Sequence, residues 1–200
     1  MSSTLESDEA LAALRAGGVV GVPTDTVYGL AASLDHPLAV ARLFTLKRRP
    51  STVALPVLVD GVPAVEALGV EWPLEARALS DALWPGALTI VVAVPHALAE
   101  LVGATTDTAG FRVPDDDVLL DVLARSGPLA VSSANDHGEA PSRSAGDVLA
   151  YFAGREGFAG VLDGGERGDE VSTVVEIVEG TWRILRQGAV SAETLSRVLS

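Results

Sequence analysis

Short runs of branched aliphatic residues alternate along this chain with longer segments that have the periodicity of helices. Two of these runs, residues 171–178 and 181–185, are too close together for a helical crossover, so we expect them to pair antiparallel. Helical segments separate several of the other runs, and that order favours a sheet covered by helices. The sequence therefore predicts an α/β fold built on a mixed sheet.

The elements that this alternation predicts follow one another without an obvious linker. Expected strands cover residues 19–23, 54–59, 88–94, 128–133, 160–163, 171–178 and 181–185. Expected helices cover residues 7–16, 37–46, 74–83, 116–125, 145–152 and 192–199, with Ser7, Ser144 and Ser191 as candidate N-caps. A polar, glycine-containing loop is expected over residues 164–169. No internal repeat interrupts residues 1–200, which we interpret as a single domain.

Composition narrows the range of functions. The chain has no cysteine, which excludes a disulfide framework, a thiolate metal site and a thiol nucleophile. A formal net charge of -13 repels polyanions, so we expect little direct nucleic-acid binding. The N-terminus has no signal-peptide pattern, and no apolar run approaches the roughly 20 residues of a membrane helix. We therefore expect a cytoplasmic protein that makes no membrane contact.

Polar segments follow or interrupt the expected strands, where binding groups usually lie. The cations in these segments are Lys47, which is the only lysine, Arg49, Arg112 and Arg186, and the hydroxyls are those of Thr26, Thr108, Ser133, Ser142 and Ser172. Arginine binds phosphate or carboxylate oxygens in pairs, and lysine supplies a point charge. If the segments converge, they form a pocket for a triphosphate and an amino-acid carboxylate.

Each segment also has a purely structural interpretation. The basic run 47–49 fits the negative C-terminal end of a helix, Arg112 fits a surface position at a strand end, and Ser172 fits β-propensity alone. Other nucleotide and nucleophile motifs are excluded. No Gly-Lys-Ser or Gly-Lys-Thr occurs, the glycines lack dinucleotide spacing, and Phe44 stands where a penicillin-recognising enzyme needs its serine. The histidines lack metal-ligand spacing, so no protein-built metal site is expected.

Taken together, the segments resemble the YrdC/Sua5 family, the threonylcarbamoyl-AMP synthases, over nearly the whole chain. The matching elements are Pro-Thr-Asp-Thr-x-Tyr-Gly-Leu at 23–30, Lys-x-Arg-Pro at 47–50, Trp-Pro-Gly with Leu-Thr at 84–89, Arg-x-Pro at 112–114, Ser-Ala-Asn at 133–135, and Ser-Thr-Val-Val at 172–175 with Arg186. The resemblance implies a twisted α/β sheet with one deep, concave, basic cavity. It is to the short, single-domain members of the family.

The resemblance also implies a nucleotidyltransferase. Such an enzyme makes L-threonylcarbamoyl adenylate from L-threonine, bicarbonate and ATP with Mg²⁺, releases pyrophosphate, and supplies tRNA-modification proteins that form N6-threonylcarbamoyladenosine. The implied ATP contacts are Lys47, Arg49, Thr108, Ser133, Asn135, Ser142 and Arg186. The implied threonine contacts are Thr26, Tyr28, Arg112, Val131 and Ser172. Lys47 and Arg49 are also the candidate catalytic residues.

The chain departs from the family pattern at a few positions. Val53 and Leu58 stand where many members have asparagine and histidine, one an ATP contact and the other a threonine contact. The segment from Asn135 to Ser142 is one residue longer than the common pattern, which leaves Ser144 as the alternative serine ligand. Two other functions stay open: an RNA-binding module of the same fold, and a carbamoyl-adenylate enzyme with a different acceptor.

Overall fold

The computed structural model describes residues 3–48, 54–135 and 139–200, which a ten-stranded sheet joins together. The strands are β1 Ser3–Leu5, β2 Val19–Val22, β3 Gly29–Ser33, β4 Val57–Leu58, β5 Leu88–Ala93, β6 Thr108–Arg112, β7 Leu129–Ser133, β8 Phe158–Leu162, β9 Thr173–Val178 and β10 Thr181–Arg186. The helices are α1 Ser7–Arg15, α2 Pro37–Leu46, α3 Val62–Ala67, α4 Leu74–Leu83, α5 His96–Leu101, α6 Asp117–Ser126, α7 Ala145–Phe152 and α8 Ala192–Val198.

The sheet is mixed, in the strand order β1-β8-β2-β3-β7-β4-β6-β5-β9-β10. Strand β8 is parallel to β1 and β2, β4 is parallel to β6, and β5 is parallel to β9. The other neighbours are antiparallel, including the hairpin of β9 and β10. The expected mixed α/β sheet and the expected C-terminal hairpin are therefore confirmed.

Two apolar clusters show which parts of the sheet are covered. The larger cluster packs α2, α4, α5 and α8 against one face of the sheet. The smaller cluster packs α1 and α6 against the other face, over β2, β3 and β7, and it includes Leu58 and Val131. The residues of β5 and β9 that face the same way, such as Thr89 and Val174, belong to neither cluster. This second face is therefore covered over one half of the sheet and open over the other.

Helix signals in the sequence were mostly reliable. Helices α2, α4 and α7 have the expected bounds, and the Ser144 and Ser191 hydroxyls accept hydrogen bonds from the backbone N–H groups three residues later. The expected N-cap at Ser7 is wrong. Glu6 is the cap residue, because its side chain and that of Glu9 form a reciprocal capping box, and Ser7 is already helical.

One expected strand is much shorter than its apolar run. Of residues 54–59, only Val57–Leu58 pair in the sheet. Pro56 has no N–H to donate to a strand ladder, and the Leu55 N–H donates instead to the Val102 carbonyl beyond α5. Among the described residues, no helix combines the length and the apolar character needed to cross a membrane.

Candidate active site

A cavity of about 170 Å³ opens on the partly covered face of the sheet. Apolar walls come from Leu58, Val131 and Pro56, and two cations, Arg112 and Arg186, also line it. The remaining lining residues are Thr24, Thr26, Val27, Tyr28, Gly29, Thr89, Ser132, Ser133, Pro141, Val171 and Ser172. Segments that are far apart in sequence therefore converge on one cavity.

Arg112, the last residue of β6, is held on three sides. Its Nε donates to the Gly86 carbonyl at 2.9 Å, Nη1 donates to Thr26 Oγ1 at 3.1 Å, and Nη2 donates to Asp25 Oδ1 at 2.6 Å. Burial lowers the pKa of Arg112, the Asp25 carboxylate opposes that effect, and the positive charge of Arg186 adds to it. A guanidinium has five N–H groups, so two remain for a ligand.

The turn at residues 24–28 is closed by its own hydroxyls. Thr24 Oγ1 donates to the Val27 carbonyl at 2.7 Å and lies 2.9 Å from Thr26 Oγ1. Because the Thr24 proton is already used, Thr26 is the donor in the second contact. Thr26 also accepts from Arg112. Its hydroxyl therefore has a lone pair, and no proton, left for a ligand in the cavity.

A second polar group joins Arg186 to Ser172. Between Ile184 and Arg186 the register of β10 shifts, which places Arg186 opposite Val174 of β9. Such irregularities re-aim side chains, and here the guanidinium donates three hydrogen bonds to Ser172, two to its carbonyl and one to its Oγ. Burial lowers the pKa of Arg186. In the described ranges Arg186 has no carboxylate partner, so its charge is available to an anion.

Lys47 follows the last residue of α2 and is only 2% exposed. Its Nζ donates to Ser132 Oγ at 2.7 Å, to Ser133 Oγ at 3.2 Å, to the Ser133 carbonyl, and to Asn135 Oδ1 at 3.4 Å. Two of these residues, Ser132 and Ser133, line the cavity. The ammonium is thus buried among oxygens directly behind the cavity wall.

The backbone of the turn is also tied to the segment after β7. The Tyr28 N–H donates to the Ser142 carbonyl at 3.0 Å, and the Ala134 N–H donates to the Tyr28 carbonyl at 2.7 Å. The Ser142 hydroxyl donates to the Ala134 carbonyl, and Ser142 is 2% exposed. This hydroxyl is therefore used inside the protein, while the neighbouring Pro141 lines the cavity.

The phenol of Tyr28 holds the loop after β8. It accepts from the Gly164 N–H and donates to the Gly165 carbonyl, both at 2.9 Å. Further along the same loop, Arg167 pairs with the buried Asp116 at 2.7 Å. The expected loop at 164–169 is irregular in structure, as predicted. It is attached to the cavity wall at Tyr28 and to the start of α6 at Asp116.

Comparison with known proteins identifies the family. The model of the Sua5/YciO/YrdC family, which is described as "Telomere recombination", matches residues 12–188. This chain belongs to the Sua5/YciO/YrdC family. The threonylcarbamoyl-AMP synthase of Bacillus subtilis is 36% identical over 96% of this chain and 56% of that protein. The threonylcarbamoyl-AMP synthase of Pseudomonas savastanoi is 30% identical over 94% of this chain and 100% of that protein.

A solved structure of the family has the same fold. The crystal structure of Pyrococcus abyssi Sua5 complexed with L-threonine superimposes with a TM-score of 0.90 at 32% identity, over 98% of this chain and 60% of that one. The chain thus spans less than two thirds of the Bacillus and Pyrococcus proteins and the whole length of the Pseudomonas protein. The predicted membership of the Sua5/YciO/YrdC family and the predicted α/β fold are confirmed.

The structure does not bring every family-implied residue to the cavity wall. Thr108 lies on the same face of β6 as Arg112 but at the other end of the strand, with its hydroxyl 2.9 Å from Thr106 Oγ1 and with Arg183 nearby in a separate hollow. Arg49 and Val53 lie outside the described residues. Asn135 accepts from Ser133 Oγ at 2.6 Å and contributes to the Lys47 environment.

Three residues near the cavity were not assigned from the sequence. Asp25 holds Arg112, Thr89 lines the cavity beside Ser172, and the Gly86 carbonyl accepts from Arg112. All three fall within family elements, Asp25 in the Pro-Thr-Asp-Thr segment and the other two in Trp-Pro-Gly with Leu-Thr. Their position within these elements was the feature of the sequence that could have identified them as site residues. Within the described ranges, no group of three or more His, Asp or Glu side chains is placed to hold a metal ion.

Proposed function

We propose that this chain makes L-threonylcarbamoyl adenylate from L-threonine, bicarbonate and ATP, with release of pyrophosphate. The single observation that carries the proposal is one cavity walled by Arg112 and Arg186, with Lys47 buried directly behind it. The Pseudomonas threonylcarbamoyl-AMP synthase is matched over its whole length, so it has no further domain that this chain lacks. In this proposal residues 1–200 are one domain acting in the cytoplasm.

Threonine is proposed to lie against Arg112. The two free N–H groups of its guanidinium suit a carboxylate, with which arginine forms paired, charge-assisted hydrogen bonds. Thr26 offers an acceptor lone pair, which suits the amino group of threonine. Val131 and Ser172 line the same cavity. Pyrococcus Sua5, which has the same fold, was crystallised in complex with L-threonine, and that complex supports the proposed ligand.

ATP is proposed to bind beside Lys47 and Arg186. Arg186 uses Nε and Nη2 on Ser172, which leaves both hydrogens of Nη1 for phosphate oxygens. Ser133 and Asn135 surround Lys47, and Arg49, Thr108 and Ser142 complete the proposed set. The substrate is the magnesium complex of ATP. Because no group of three or more His, Asp or Glu side chains among the described residues is placed to hold a metal ion, Mg²⁺ is proposed to be held by the phosphates and water.

The proposed reaction needs no side-chain nucleophile. The deprotonated amine of threonine captures the bicarbonate carbon as a carbamate and releases water. A carbamate oxygen then attacks the α-phosphorus, a C–O–P bond forms, and the bond to the β-phosphate breaks as pyrophosphate leaves. Two anions that repel each other in water must be held in contact, and cations must meet the charge that develops on phosphorus and on the leaving group. Lys47, Arg49 and Arg186 are proposed for those roles.

The direct test is to incubate the purified protein with ATP, bicarbonate and L-threonine and to detect the adenylate by mass spectrometry. Pyrophosphate release should depend on both threonine and bicarbonate. Absence of the adenylate, with pyrophosphate release no greater than in the amino-acid-free control, would refute the proposal. Tests with serine in place of threonine address the other acceptor, because Leu58 lines the cavity where many relatives have histidine.

The proposal also covers the proteins that use the adenylate and the binding of tRNA. Other tRNA-modification proteins are proposed to use the adenylate to form N6-threonylcarbamoyladenosine, with little tRNA binding by this chain itself. The net charge of -13 supports that division, since most of the surface repels polyanions. Measurable tRNA affinity at low salt that falls steeply as salt is added would favour the RNA-binding alternative instead.

A further inference from the structure

Thr89 is a buried residue of β5 that lies in the cavity wall and has no role in the function proposed above. It is 5% exposed, it lines the cavity, and its Oγ1 lies 3.0 Å from Ser172 Oγ. Ser172 Oγ accepts a further hydrogen bond of 3.0 Å from Arg186 Nη2. Thr89 Oγ1 has no other hydrogen bond within the described residues. The two hydroxyls therefore form an isolated pair that is approached by one fixed cation.

Counting protons shows what this pair can do. Two hydroxyls carry two protons, and one of them is used in the bond between Thr89 and Ser172. Arg186 occupies a lone pair of Ser172 and donates its own hydrogens, so it takes neither proton. Whichever hydroxyl is the donor within the pair, one O–H is left over, and both residues line the cavity. The pair can therefore donate one hydrogen bond to a ligand in the cavity.

The neighbouring strand fixes the orientation of Thr89. A Cβ added at Gly110 of β6 would lie 2.9 Å from Thr89 Cγ2 and 3.4 Å from Val91 Cγ2. The methyl of Thr89 therefore packs where a side chain at position 110 would be. With its methyl held on that side, the hydroxyl is turned towards Ser172, and the glycine is the local reason that threonine can do this.

We propose that Thr89 belongs to the amino-acid site, where Thr89 and Ser172 act as one hydroxyl pair that donates a single hydrogen bond to the substrate carboxylate. This inference rests on the proposed function, since it concerns the same amino acid. Arg112, against which the carboxylate is proposed to lie, forms part of the cavity wall. The pair lines the same cavity, and an O–H donor to a carboxylate is stronger than one to a neutral acceptor.

The decisive measurement is the Kd of L-threonine by calorimetry, which needs no catalysis. Thr89→Val keeps the shape of the side chain and removes the hydroxyl, and we expect it to weaken binding about ten- to thirtyfold, the effect of one hydrogen bond to a charged group. Thr89→Ser keeps the hydroxyl and should bind within about twofold of the wild type. A Thr89→Val protein with wild-type Kd overturns the inference, and so does a wild-type protein that does not bind threonine.

A double-mutant cycle tests whether the two hydroxyls act as one donor. Each single variant leaves one hydroxyl that has lost the partner that orients it, so Ser172→Ala should also weaken binding. The double variant Thr89→Val with Ser172→Ala has no O–H left, and its effect should depart from the product of the two single effects. Single effects that multiply would mean two independent contacts and would overturn the pairing. The backbone anchor of Arg186 on the Ser172 carbonyl remains in every variant.

The role of Thr89 can also be tested without removing its hydroxyl. Gly110→Ala should displace the Thr89 methyl and weaken threonine binding, and Thr89→Ser in the same chain should restore it by removing the clashing carbon. Failure of Thr89→Ser to restore binding in that chain counts against the inference. Thr181→Val, at an exposed threonine that bonds to the Val178 carbonyl, is the matched control and should leave Kd unchanged.

Kinetics separate this inference from the proposed function. If the wild type makes the adenylate, Thr89→Val should raise KM for threonine about ten- to thirtyfold, by the same hydrogen-bond effect, with kcat within about twofold. A loss confined to kcat would contradict a role in binding. If the wild type forms the adenylate and Thr89→Val has an unchanged KM, the inference about Thr89 is wrong but the proposed function is not affected.

Discussion

Arg112 and Asp25 form an ion pair of 2.6 Å inside the cavity wall, with side chains only 7% and 15% exposed. A charge buried to this extent is costly unless it is paired, and burial indeed lowers the pKa of Arg112 while Asp25 opposes the change. Asp25 therefore supplies the counter-charge that the buried guanidinium needs, and it fixes the guanidinium that we assign to the threonine carboxylate.

Both the stability of the fold and threonine binding should depend on the Asp25 carboxylate. Asp25→Asn is expected to lower the free energy of unfolding by about 3 kcal/mol, because a buried guanidinium loses its counter-charge, and to raise KM for threonine. Denaturant unfolding and pyrophosphate-release kinetics measure the two effects. Glu66→Gln breaks the exposed pair with Arg77, whose side chains are 47% and 44% exposed, and should cost no more than about 1 kcal/mol. Equal stability of the two variants would argue against this account.

Adjacent basic residues should differ sharply in their effect on rate. Lys47 is buried among the oxygens of Ser132 and Ser133, whereas Arg48 is exposed. Lys47→Ala is expected to slow pyrophosphate release by about 10²–10³-fold, since a cation fixed near the reacting phosphates is removed. Arg48→Gln should remain within about threefold of the wild type, the scale of a surface charge effect. Near-normal pyrophosphate release by Lys47→Ala would show that the catalytic role is wrongly assigned.

The sequence was most informative where one residue decides a local conformation. Pro37 at a helix start and the capping hydroxyls of Ser144 and Ser191 gave correct helix starts. Strands β3 and β6 were not predicted. Their sequences, Gly-Leu-Ala-Ala-Ser and Thr-Ala-Gly-Phe-Arg, contain no β-branched aliphatic residue, and they are strands because neighbours on both sides pair with them.

For the site, the sequence indicated residue types but not how each hydroxyl is used. Arg186 reaches Ser172 because of a register shift in β10, and the sequence around Arg186 does not indicate that shift. The Ser142 proton is used on the Ala134 carbonyl, and the Thr26 proton on Thr24. The residue types alone do not indicate these bonds, so a motif can name a hydroxyl without showing whether it donates, accepts or is already occupied.

The loop after β8 should depend on the ion pair between Arg167 and Asp116. Asp116 also caps α6, where its Oδ1 accepts from the Leu119 N–H at 2.9 Å. Asparagine caps helices as well as aspartate does, so Asp116→Asn removes the charge and keeps the cap. We expect a loss of about 2 kcal/mol of unfolding free energy, the value of a hydrogen bond to a charged group. Arg167→Gln should cost a similar amount, and a much smaller loss in both variants would contradict a role for the pair.

Tyr28 offers a test in which pH gives the readout. Tyr28→Phe removes the hydroxyl that joins the Gly164 N–H and the Gly165 carbonyl, and it should cost about 1–2 kcal/mol of unfolding free energy near neutral pH. Exchange of the Gly164 amide hydrogen should become faster, since that bond is lost. Tyr151→Phe is the matched control, because the Tyr151 hydroxyl makes no hydrogen bond within the described residues, and it should be nearly neutral.

The sign of the pH effect follows from the protonation equilibrium. Burial raises the pKa of Tyr28 above its usual value of 10.0, so the folded state holds the phenol proton more tightly than the unfolded chain does. The associated stability is complete below pH 10 and is lost as pH rises through the raised pKa. Denaturant unfolding between pH 8 and 11 should therefore show the advantage of the wild type over Tyr28→Phe shrinking above pH 10. A difference that stays constant across this range would mean that the phenol titrates alike in both states.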